Sequence, residues 1–513
     1  MHARPCRNRF ALALLIAGVT LLAPAVAQTD LAPIREKLAS PDTWDRITAI
    51  RDLMRVAPPA DAARGLLETA ARDAHPDVRI EVVWAIHELL GSKGIDLLEK
   101  LYADPDRRVR DATIQVACRM WDKQSARDLC QAAFDDPDFS ARVEVVSTLK
   151  EHHAKDARAI ELFRRALEDP SEMVQRAAVF AVQAARDAGA VDALAKIARD
   201  SSDLAAVPAV DEALATIGGP RAVAVLVSLL PRPDKPAAGS GQAPQRPSDL
   251  VRAAAARALA RIKDPSALPA LREVVADASI PVKIGAMEAL MQMKDSQAVP
   301  LISRELSHPE ARVRRFALRA LRVIGDPSAA KDVRRVLREE KDENVRATAA
   351  LTLADMLGEQ AIPDLLALKD DLSPVVRLEA AGALAGLGRP AGKALAAFLQ
   401  DSNIGVQVMA IEGLGQIGSA EHVPALAALA ANRDPETTQV RFKVAEALGR
   451  IGAPSALAPL LDLAGDPEPA VREQAAHALA RFDAPEAKAA LERLLKDPVA
   501  TVRNAARQAA GRR

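Results

Sequence analysis

The side chains that most often bind metals or exchange protons are few and scattered in this chain. Beyond residue 27 there are seven histidines, with a single adjacent pair: His75, His87, His152, His153, His308, His422 and His477. A zinc site needs cysteines and histidines at short, regular ligand spacing, and no such pattern occurs. The sequence therefore predicts no metal site and no cofactor.

Motifs for covalent catalysis and for phosphate binding are missing as well. A serine nucleophile is often held in a Gly-x-Ser-x-Gly turn, and the one similar stretch, residues 238–241, lacks that spacing. The chain has no Gly-x-x-x-x-Gly-Lys loop that could surround phosphates. We therefore expect no catalytic residue and a protein that is not an enzyme.

Two cysteines remain beyond residue 27, Cys118 and Cys130, which are 12 positions apart. In an oxidising compartment such a pair can form a disulfide between one helix and the next, antiparallel helix. Alternatively both are small core residues, because a free cysteine packs like a small apolar side chain. The sequence leaves both interpretations open.

The first 27 residues differ from the rest and indicate a secretory signal peptide. Three arginines precede an uncharged apolar stretch, residues 10–22, and Ala25-Val26-Ala27 offers small residues for cleavage between Ala27 and Gln28. We expect a periplasmic or secreted protein without a membrane span. Removal of this segment leaves 66 basic and 69 acidic residues, a net charge of −3, which argues against nucleic-acid binding.

A valine-arginine phrase, followed by alanines and leucines and often by a Gly-Asp-Pro turn, returns along the remaining chain. The register position of this phrase, in most copies an arginine after a valine, falls at residues 46, 79, 110, 142, 175, 207, 252, 283, 314, 346, 377, 407, 441, 472 and 503. From Val251 the apolar residues are spaced i, i+3, i+4, i+7, i+8 and i+11, which is one helical face. We therefore predict an all-α chain of about fifteen two-helix repeats stacked in a row.

The repeated phrase resembles the HEAT repeat, in the short bacterial form named after the phycobilisome lyases. The resemblance covers residues 28–513 and implies an α-solenoid wound into a superhelix, with no separate domain. It also implies a ladder of hydrogen bonds between neighbouring repeats, from an arginine of the second helix to an aspartate of the turn. The expected ladder arginines are Arg79, Arg110, Arg252, Arg314, Arg346, Arg377, Arg441, Arg472 and Arg503.

The same resemblance suggests which acids take part in the ladder and where it is interrupted. Asp77, Asp106 and Asp342 stand close before ladder arginines, and we expect them to pair with Arg79, Arg110 and Arg346. Three repeats lack the arginine, so the ladder should be interrupted at Gln175, Val207 and Gln407.

One repeat is about 14 residues longer than its neighbours. The excess lies in residues 231–249, which are rich in proline, glycine, alanine and serine and predict a flexible loop between the two helices of that repeat. The loop is either a partner-binding or gating element or a tolerated surface insertion, and the second interpretation is favoured.

Charge is unevenly distributed near the middle of the chain. Residues 312–338 carry nine basic and two acidic side chains, whereas residues 339–371 carry nine acidic and three basic ones. Such a charge step can orient a partner, although two ordinary solvated helix faces give the same counts. The candidate partner-binding residues are Arg315, Arg319, Arg322, Arg334, Arg335 and Arg338.

These patterns favour a monomeric scaffold that binds one or more proteins, which the sequence does not identify. The alternative, implied by the resemblance, is an enzyme or pigment-handling protein related to the phycobilin lyases or to HEAT-repeat metal hydroxylases. Those hydroxylases carry repeated His-Glu pairs in the second helix. The present chain has only His87-Glu88, late in its helix, so the scaffold is the preferred hypothesis.

Overall fold

The computed structural model describes residues 30–200, 206–231 and 248–511. Within these ranges the chain forms α-helices, short 3₁₀ turns and one π-helical turn, and it contains no β-strand. The predicted signal peptide, residues 1–27, and most of the predicted loop, residues 232–247, lie outside the described residues. The last residue of the predicted loop, Asp249, is the first residue of a helix, and Ser248 caps that helix.

The chain divides into two compact units, Met1–Ala181 and Val182–Arg513. The helices that begin in the first unit are α1 Ala32–Leu38, α2 Thr43–Val56, α3 Ala60–Ala70, α4 Pro76–Ala85, α5 Ile95–Tyr102, α6 Arg107–Arg119, α7 Gln124–Phe134, α8 Phe139–His153, α9 Ala157–Ala166 and α10 Glu172–Ala185. Those of the second unit are α11 Val191–Asp200, α12 Ala206–Ile217, α13 Gly219–Leu229, α14 Asp249–Ile262, α15 Leu268–Glu273, α16 Ile280–Gln292, α17 Val299–Arg304, α18 Ala311–Ile324, α19 Ala330–Glu339, α20 Glu343–Leu357, α21 Ile362–Ala367, α22 Pro374–Leu387, α23 Gly392–Ala396, α24 Ile404–Ile417, α25 Val423–Ala430, α26 Thr438–Ile451, α27 Leu457–Leu463, α28 Pro469–Leu479, α29 Pro485–Leu494 and α30 Ala500–Gly511.

Each odd-numbered helix and the even-numbered helix that follows it form one repeat. In the second unit, successive even-numbered helices pack on one another from α12 to α30, and odd-numbered helices such as α25, α27 and α29 pack in a second layer. In the first unit α2, α4, α6 and α8 pack in the same succession. The prediction of an all-α solenoid of two-helix repeats is confirmed.

Helix α18 shows why this sequence forms such helices. Val313 and Ala317 are four residues apart, lie on one face and are buried. Gly325 ends the helix with a φ of 75°, a left-handed conformation that glycine adopts without a steric penalty. Asp326 then caps the 3₁₀ turn Pro327–Ala329, which leads into α19. The Gly-Asp-Pro phrase therefore separates two helices because each of its residues suits one step of the turn.

Small residues set the close spacing of the even-numbered helices near the carboxyl end. A methyl group added to Gly415 would lie 2.9 Å from Ala447, and one added to Gly449 would lie 2.7 Å from Ala478. Neither site has space for a larger side chain. Helices α24, α26 and α28 therefore approach one another at a distance that depends on glycine facing alanine.

A ladder of charged hydrogen bonds links the turns of successive repeats. Arg472 on α28 donates from Nε and Nη2 to both carboxylate oxygens of Asp497 in the next repeat, at 2.8 and 3.0 Å. Its Nη1 donates to the main-chain oxygens of Asp466 and Pro467 in its own repeat. A planar guanidinium suits this bidentate contact, and one side chain thereby satisfies acceptors in two neighbouring turns.

The same pairing recurs in both compact units. The pairs are Arg46–Asp73, Arg79–Asp104, Arg142–Asp169, Arg252–Asp277, Arg314–Glu340, Arg346–Asp371, Arg377–Asp401, Arg441–Asp466 and Arg472–Asp497. Lys283 replaces the arginine in one repeat, and its Nζ lies 2.8 Å from a carboxylate oxygen of Glu305. Apart from Arg110 and Arg503, every predicted ladder arginine therefore pairs with an acid of the following repeat.

Arg110 and Arg503 bond only to main-chain oxygens of their own turns within the described part of the chain. The acid in the ladder position after Arg110 is Asp136, and it accepts the hydroxyl of Tyr102 at 2.5 Å. Arg503 on α30 has no carboxylate partner among the described residues.

The acids of the ladder are not those that the sequence indicated. Asp106 and Asp342 accept main-chain N–H groups at the start of their own helices, and Asp77 contacts a surface arginine. A carboxylate that caps its own helix is not free to reach the preceding repeat. The partner of Arg79 is instead Asp104, which precedes the capping aspartate by two residues.

Two of the three positions without an arginine have described side chains, and they differ. Gln175 keeps the local contact, because its Nε2 donates to the main-chain oxygen of Asp169 at 2.8 Å. Gln407 forms no side-chain hydrogen bond with any residue of the described ranges. The side chain of Val207, the third position, lies outside the described part of the chain.

Cys118 on α6 and Cys130 on α7 are buried free thiols in this structure. Their sulfur atoms are 3.1 Å apart, whereas a disulfide bond is about 2.05 Å long. Burial raises the pKa of the Cys118 thiol. The structure brings the two side chains into contact in the core, and the disulfide between them stays a prediction.

Loss of one ladder partner should destabilise the array. Arg79 and Asp104 are both buried, so R79M leaves a buried carboxylate without its cation. We expect the free energy of unfolding in urea to fall by about 3 kcal/mol. The matched control is R503M, which removes a ladder arginine without a carboxylate partner and should cost about 1 kcal/mol. Equal losses for both variants would contradict the importance of the carboxylate.

Acid should weaken the ladder. A hydrogen bond from Arg472 lowers the pKa of Asp497. For Asp371, burial raises the pKa, but the attraction of Arg346 and the hydrogen bonds from Arg346 and from the main-chain N–H of Ser373 outweigh it, so this pKa is lowered as well. Such groups stabilise the fold above the pKa of the unfolded chain, about 3.9, and this stabilisation is lost as the pH falls through the lower folded value. We expect the unfolding temperature, followed by circular dichroism, to fall steeply below about pH 4. A flat profile in this range would be inconsistent with the ladder.

Candidate protein-binding surface

Four arginines lie on one face of α18, at spacings of three, four and three residues. They are Arg312, Arg315, Arg319 and Arg322, which together form the arginine stripe. At 1.5 Å per residue the stripe is about 15 Å long. Like charges at these spacings destabilise a helix by about 0.2–0.5 kcal/mol for each pair. The helix therefore holds these charges side by side at a cost to its own stability.

Little of this charge is neutralised by the described part of the chain. The guanidinium of Arg322 lies 3.6 Å from a carboxylate oxygen of Asp355 on α20. No carboxylate within residues 30–200, 206–231 and 248–511 forms an ion pair with Arg312, Arg315 or Arg319. Three positive charges of the stripe are thus without a partner inside the described structure.

The stripe borders a groove of about 390 Å³ between α18 and α20. Its remaining lining consists of Phe316 on α18 and of Thr348 and Leu351 on α20, all of which are half-buried. The groove therefore combines positively charged walls with an apolar floor. An acidic segment that also carries one apolar side chain has the chemistry that matches it.

The other three candidate arginines lie on α19, in the second helix layer, and do not line the groove. Arg334 donates from Nε to Asp364 at 2.9 Å, and Arg335 donates to the hydroxyl of Ser307 at 3.2 Å. Arg338 is exposed near the end of α19. The structure thus separates the six candidates into two groups of three, and only the group on α18 shares one groove.

Four residues of the groove were not among the candidates from the sequence: Arg312, Phe316, Thr348 and Leu351. Arg312 was overlooked, although its position three residues before Arg315 places it on the same helical face and is a readable signal. Phe316 carries no such signal, because its place beside Leu351 depends on how α18 packs against α20.

Four of the nine carboxylates in the acidic stretch, residues 339–371, are used inside the array. Glu340 and Asp371 are ladder acids, Asp342 caps α20, and Asp364 pairs with Arg334. The other five are exposed: Glu339, Glu343, Asp355, Glu359 and Asp370. The charge step therefore stays a prediction, with exposed side chains in both its basic and its acidic half.

Comparison with known protein families agrees with this architecture. A family model described as HEAT repeats matches residues 31–118, 126–207, 242–304, 300–385, 362–439, 392–464 and 436–511. The chain belongs to the HEAT-repeat family. No curated protein matches it in sequence.

Several solved structures share the fold of this HEAT-repeat protein. The crystal structure of Kap121p matches with a TM-score of 0.57 and 12% identity, covering 93% of this chain and 64% of the Kap121p chain. Kap121p bound to Nup53p matches with a TM-score of 0.52 and 13% identity over the same shares. Human deoxyhypusine hydroxylase is 27% identical over 51% of this chain and 96% of its own, but its TM-score of 0.23 is too low to support an argument. The HEAT-repeat chain thus spans about two thirds of the length of Kap121p and shares its fold.

Two further observations concern the described part of this HEAT-repeat protein. Residues 30–200, 206–231 and 248–511 contain no group of three or more histidine, cysteine, aspartate or glutamate side chains placed to hold a metal ion. None of the helices in these ranges has the length and apolar character that crossing a membrane requires.

Neutralising part of the arginine stripe should stabilise the protein. R315Q combined with R319Q removes two like charges that lie one turn apart, so we expect the free energy of unfolding at low salt to rise by about 0.5 kcal/mol. The gain should shrink in high salt, because screening weakens the repulsion in the wild type. The control R334Q removes an arginine paired with Asp364 and should give no gain. Urea titrations at two salt concentrations test this, and a salt-independent effect would rule out repulsion as the cause.

Proposed function

We propose that this HEAT-repeat protein is a protein-binding scaffold without chemistry of its own, and that the groove on α18 receives an acidic segment of the partner. The arginine stripe is the observation that carries the proposal. It holds four like charges side by side, three of them without an acid partner in the described structure. Features that weaken a fold locally are typical of functional sites.

The energetics of such a contact depend on both parts of the groove. Exposed ion pairs contribute about 0.2–1 kcal/mol each, so the stripe alone supplies a weak, salt-sensitive attraction. Burial of one large apolar side chain against Phe316 and Leu351 adds about 1.5–3 kcal/mol. The arginines would then set the orientation and speed of encounter, and the apolar floor would set much of the affinity.

The fold is compatible with this role. Kap121p, which shares the fold at low identity, has been solved bound to Nup53p and bound to the extreme C-terminus of the phosphatase Cdc14p. In both cases a HEAT-repeat solenoid holds another protein. A row of repeats offers an extended surface on which a short segment can lie.

We further propose that the mature protein acts in the periplasm or outside the cell as a monomer. The support is the N-terminal sequence, in which arginines precede an apolar stretch and a small-residue cleavage site. Acidic partners in the same compartment are therefore the first to be searched for.

Charge reversal on the two helix layers tests the groove as a binding site. R312E/R315E/R319E inverts the stripe, while K331E/R335E/R338E makes the same change of charge on α19, the first helix of the following repeat. Tagged wild type and variants are crosslinked in extracts of the cell envelope, and the captured proteins are quantified by mass spectrometry. We expect the stripe variant to lose acidic partners by about tenfold or more, and the α19 variant to retain them.

Circular dichroism of both variants checks that the helices remain folded. Equal capture by the stripe variant and the wild type would refute binding through the groove. If the wild type captures no protein reproducibly under crosslinking, the scaffold proposal itself fails.

A further inference from the structure

One aspartate occupies a position that is apolar in the other inner repeats. Asp211 on α12 stands four residues after Val207, the position of the ladder arginine. In the other repeats before the last one this position holds Ile50, Val83, Ile114, Val146, Val179, Ala256, Met287, Leu318, Ala350, Ala381, Ile411, Ala445 and Ala476, all of which are buried. Asp211 is thus a carboxylate in a core position of the repeat.

Asp211 is also buried and without a partner. Asp211 is 4% exposed, and neither of its carboxylate oxygens accepts a hydrogen bond in the structure. Burial raises the pKa of this carboxyl group to about 7. An isolated buried carboxylate is strongly unfavourable, so this side chain lowers the stability of the repeat unless a hydrogen-bond donor reaches it.

Asp211 lines a recess between α12 and α14. Ala254 and Ala258 on α14 line the recess, and their small side chains leave a space of about 170 Å³. This is several times the ~30 Å³ share of one water molecule, so a single ordered water does not fill it. Arg257 on α14 is exposed and lines the same recess.

The charges around the recess are separated rather than paired. At its rim, Glu212 and Arg261 form an ion pair with each other and are therefore occupied. Asp211 and Arg257 remain, and they do not form an ion pair although both line the recess. The site thus presents one acceptor group and one cation across a space large enough for a small organic molecule.

We propose that this recess binds a small zwitterion of the α-amino-acid type, with its ammonium group on Asp211 and its carboxylate on Arg257. Such a ligand supplies N–H donors to the unpartnered oxygens and an anion to the guanidinium. A simple cation would be repelled by Arg257, and a simple anion would be repelled by Asp211. The site lies in another repeat than the arginine stripe, so the proposal does not depend on the proposed scaffold function.

Titration of the full mature protein with glycine, the smallest zwitterion of this class, tests the proposal. We expect glycine to bind saturably in calorimetry and to raise the unfolding temperature of the wild type. Acetate and methylammonium, which each carry one of the two charges, should not. Trimethylglycine keeps both charges but has no N–H donor, and it should bind at least about tenfold more weakly than glycine.

Variants separate this site from a general effect of glycine on stability. D211N and R257Q should each weaken glycine binding by about tenfold or more, whereas D192N, which removes an exposed carboxylate on α11, should not. D211L restores an apolar residue as at Leu318, so it should raise the unfolding temperature while abolishing the response to glycine. The proposal is overturned if glycine leaves the wild type unchanged, or if it affects wild type and D211L equally.

Discussion

The bidentate contact between one guanidinium and the turns of two successive repeats is the interaction on which the rest of the array depends. Apolar packing between α-helices is tolerant of small shifts, whereas a planar arginine accepts a carboxylate only in a narrow range of positions. In the pair of Arg472 and Asp497, one side chain binds the main chain of its own turn and the carboxylate of the next. The ladder therefore fixes the offset between repeats, and apolar burial supplies most of the stability.

This constraint explains why residues on neighbouring even-numbered helices can form shared surfaces. Arg319 on α18 and Leu351 on α20 line one groove because the ladder pair Arg314–Glu340 links their two repeats at a set offset. A groove held in this way loses little freedom when a ligand enters, and preorganisation favours binding. The odd-numbered helices lie in the other layer, which is why arginines of α19 that are close to the stripe in sequence do not join it.

The architecture could be predicted from the sequence because each repeat buries the same helix face and ends its helices with the same kinds of residue. The valine at position 313 and its counterparts mark the buried face, and Gly325 marks the end of its helix. The choice of ladder acid was beyond sequence reasoning, since Asp104 and Asp106 stand two residues apart in one turn and differ only in which group they face. Phe316 joins the groove only through the packing of α18 on α20. Charge counts likewise do not show which of the acidic residues 339–371 already have partners inside the array, as Glu340 and Asp371 do.

In a repeat array, a residue can be compared with the residues at the equivalent position of the other repeats. This comparison shows whether an unusual residue follows from the fold or departs from it. Leu372 is 97% exposed and looks at first like a binding residue. Yet it occupies the turn position that is proline at Pro105, Pro309 and Pro467, and those three residues are exposed as well. Asp211 differs from its counterparts in kind, since they are buried and apolar and it is buried and charged. Comparison between equivalent positions therefore assigns the leucine to the geometry of the turn, and it leaves the aspartate as a residue that packing alone does not explain.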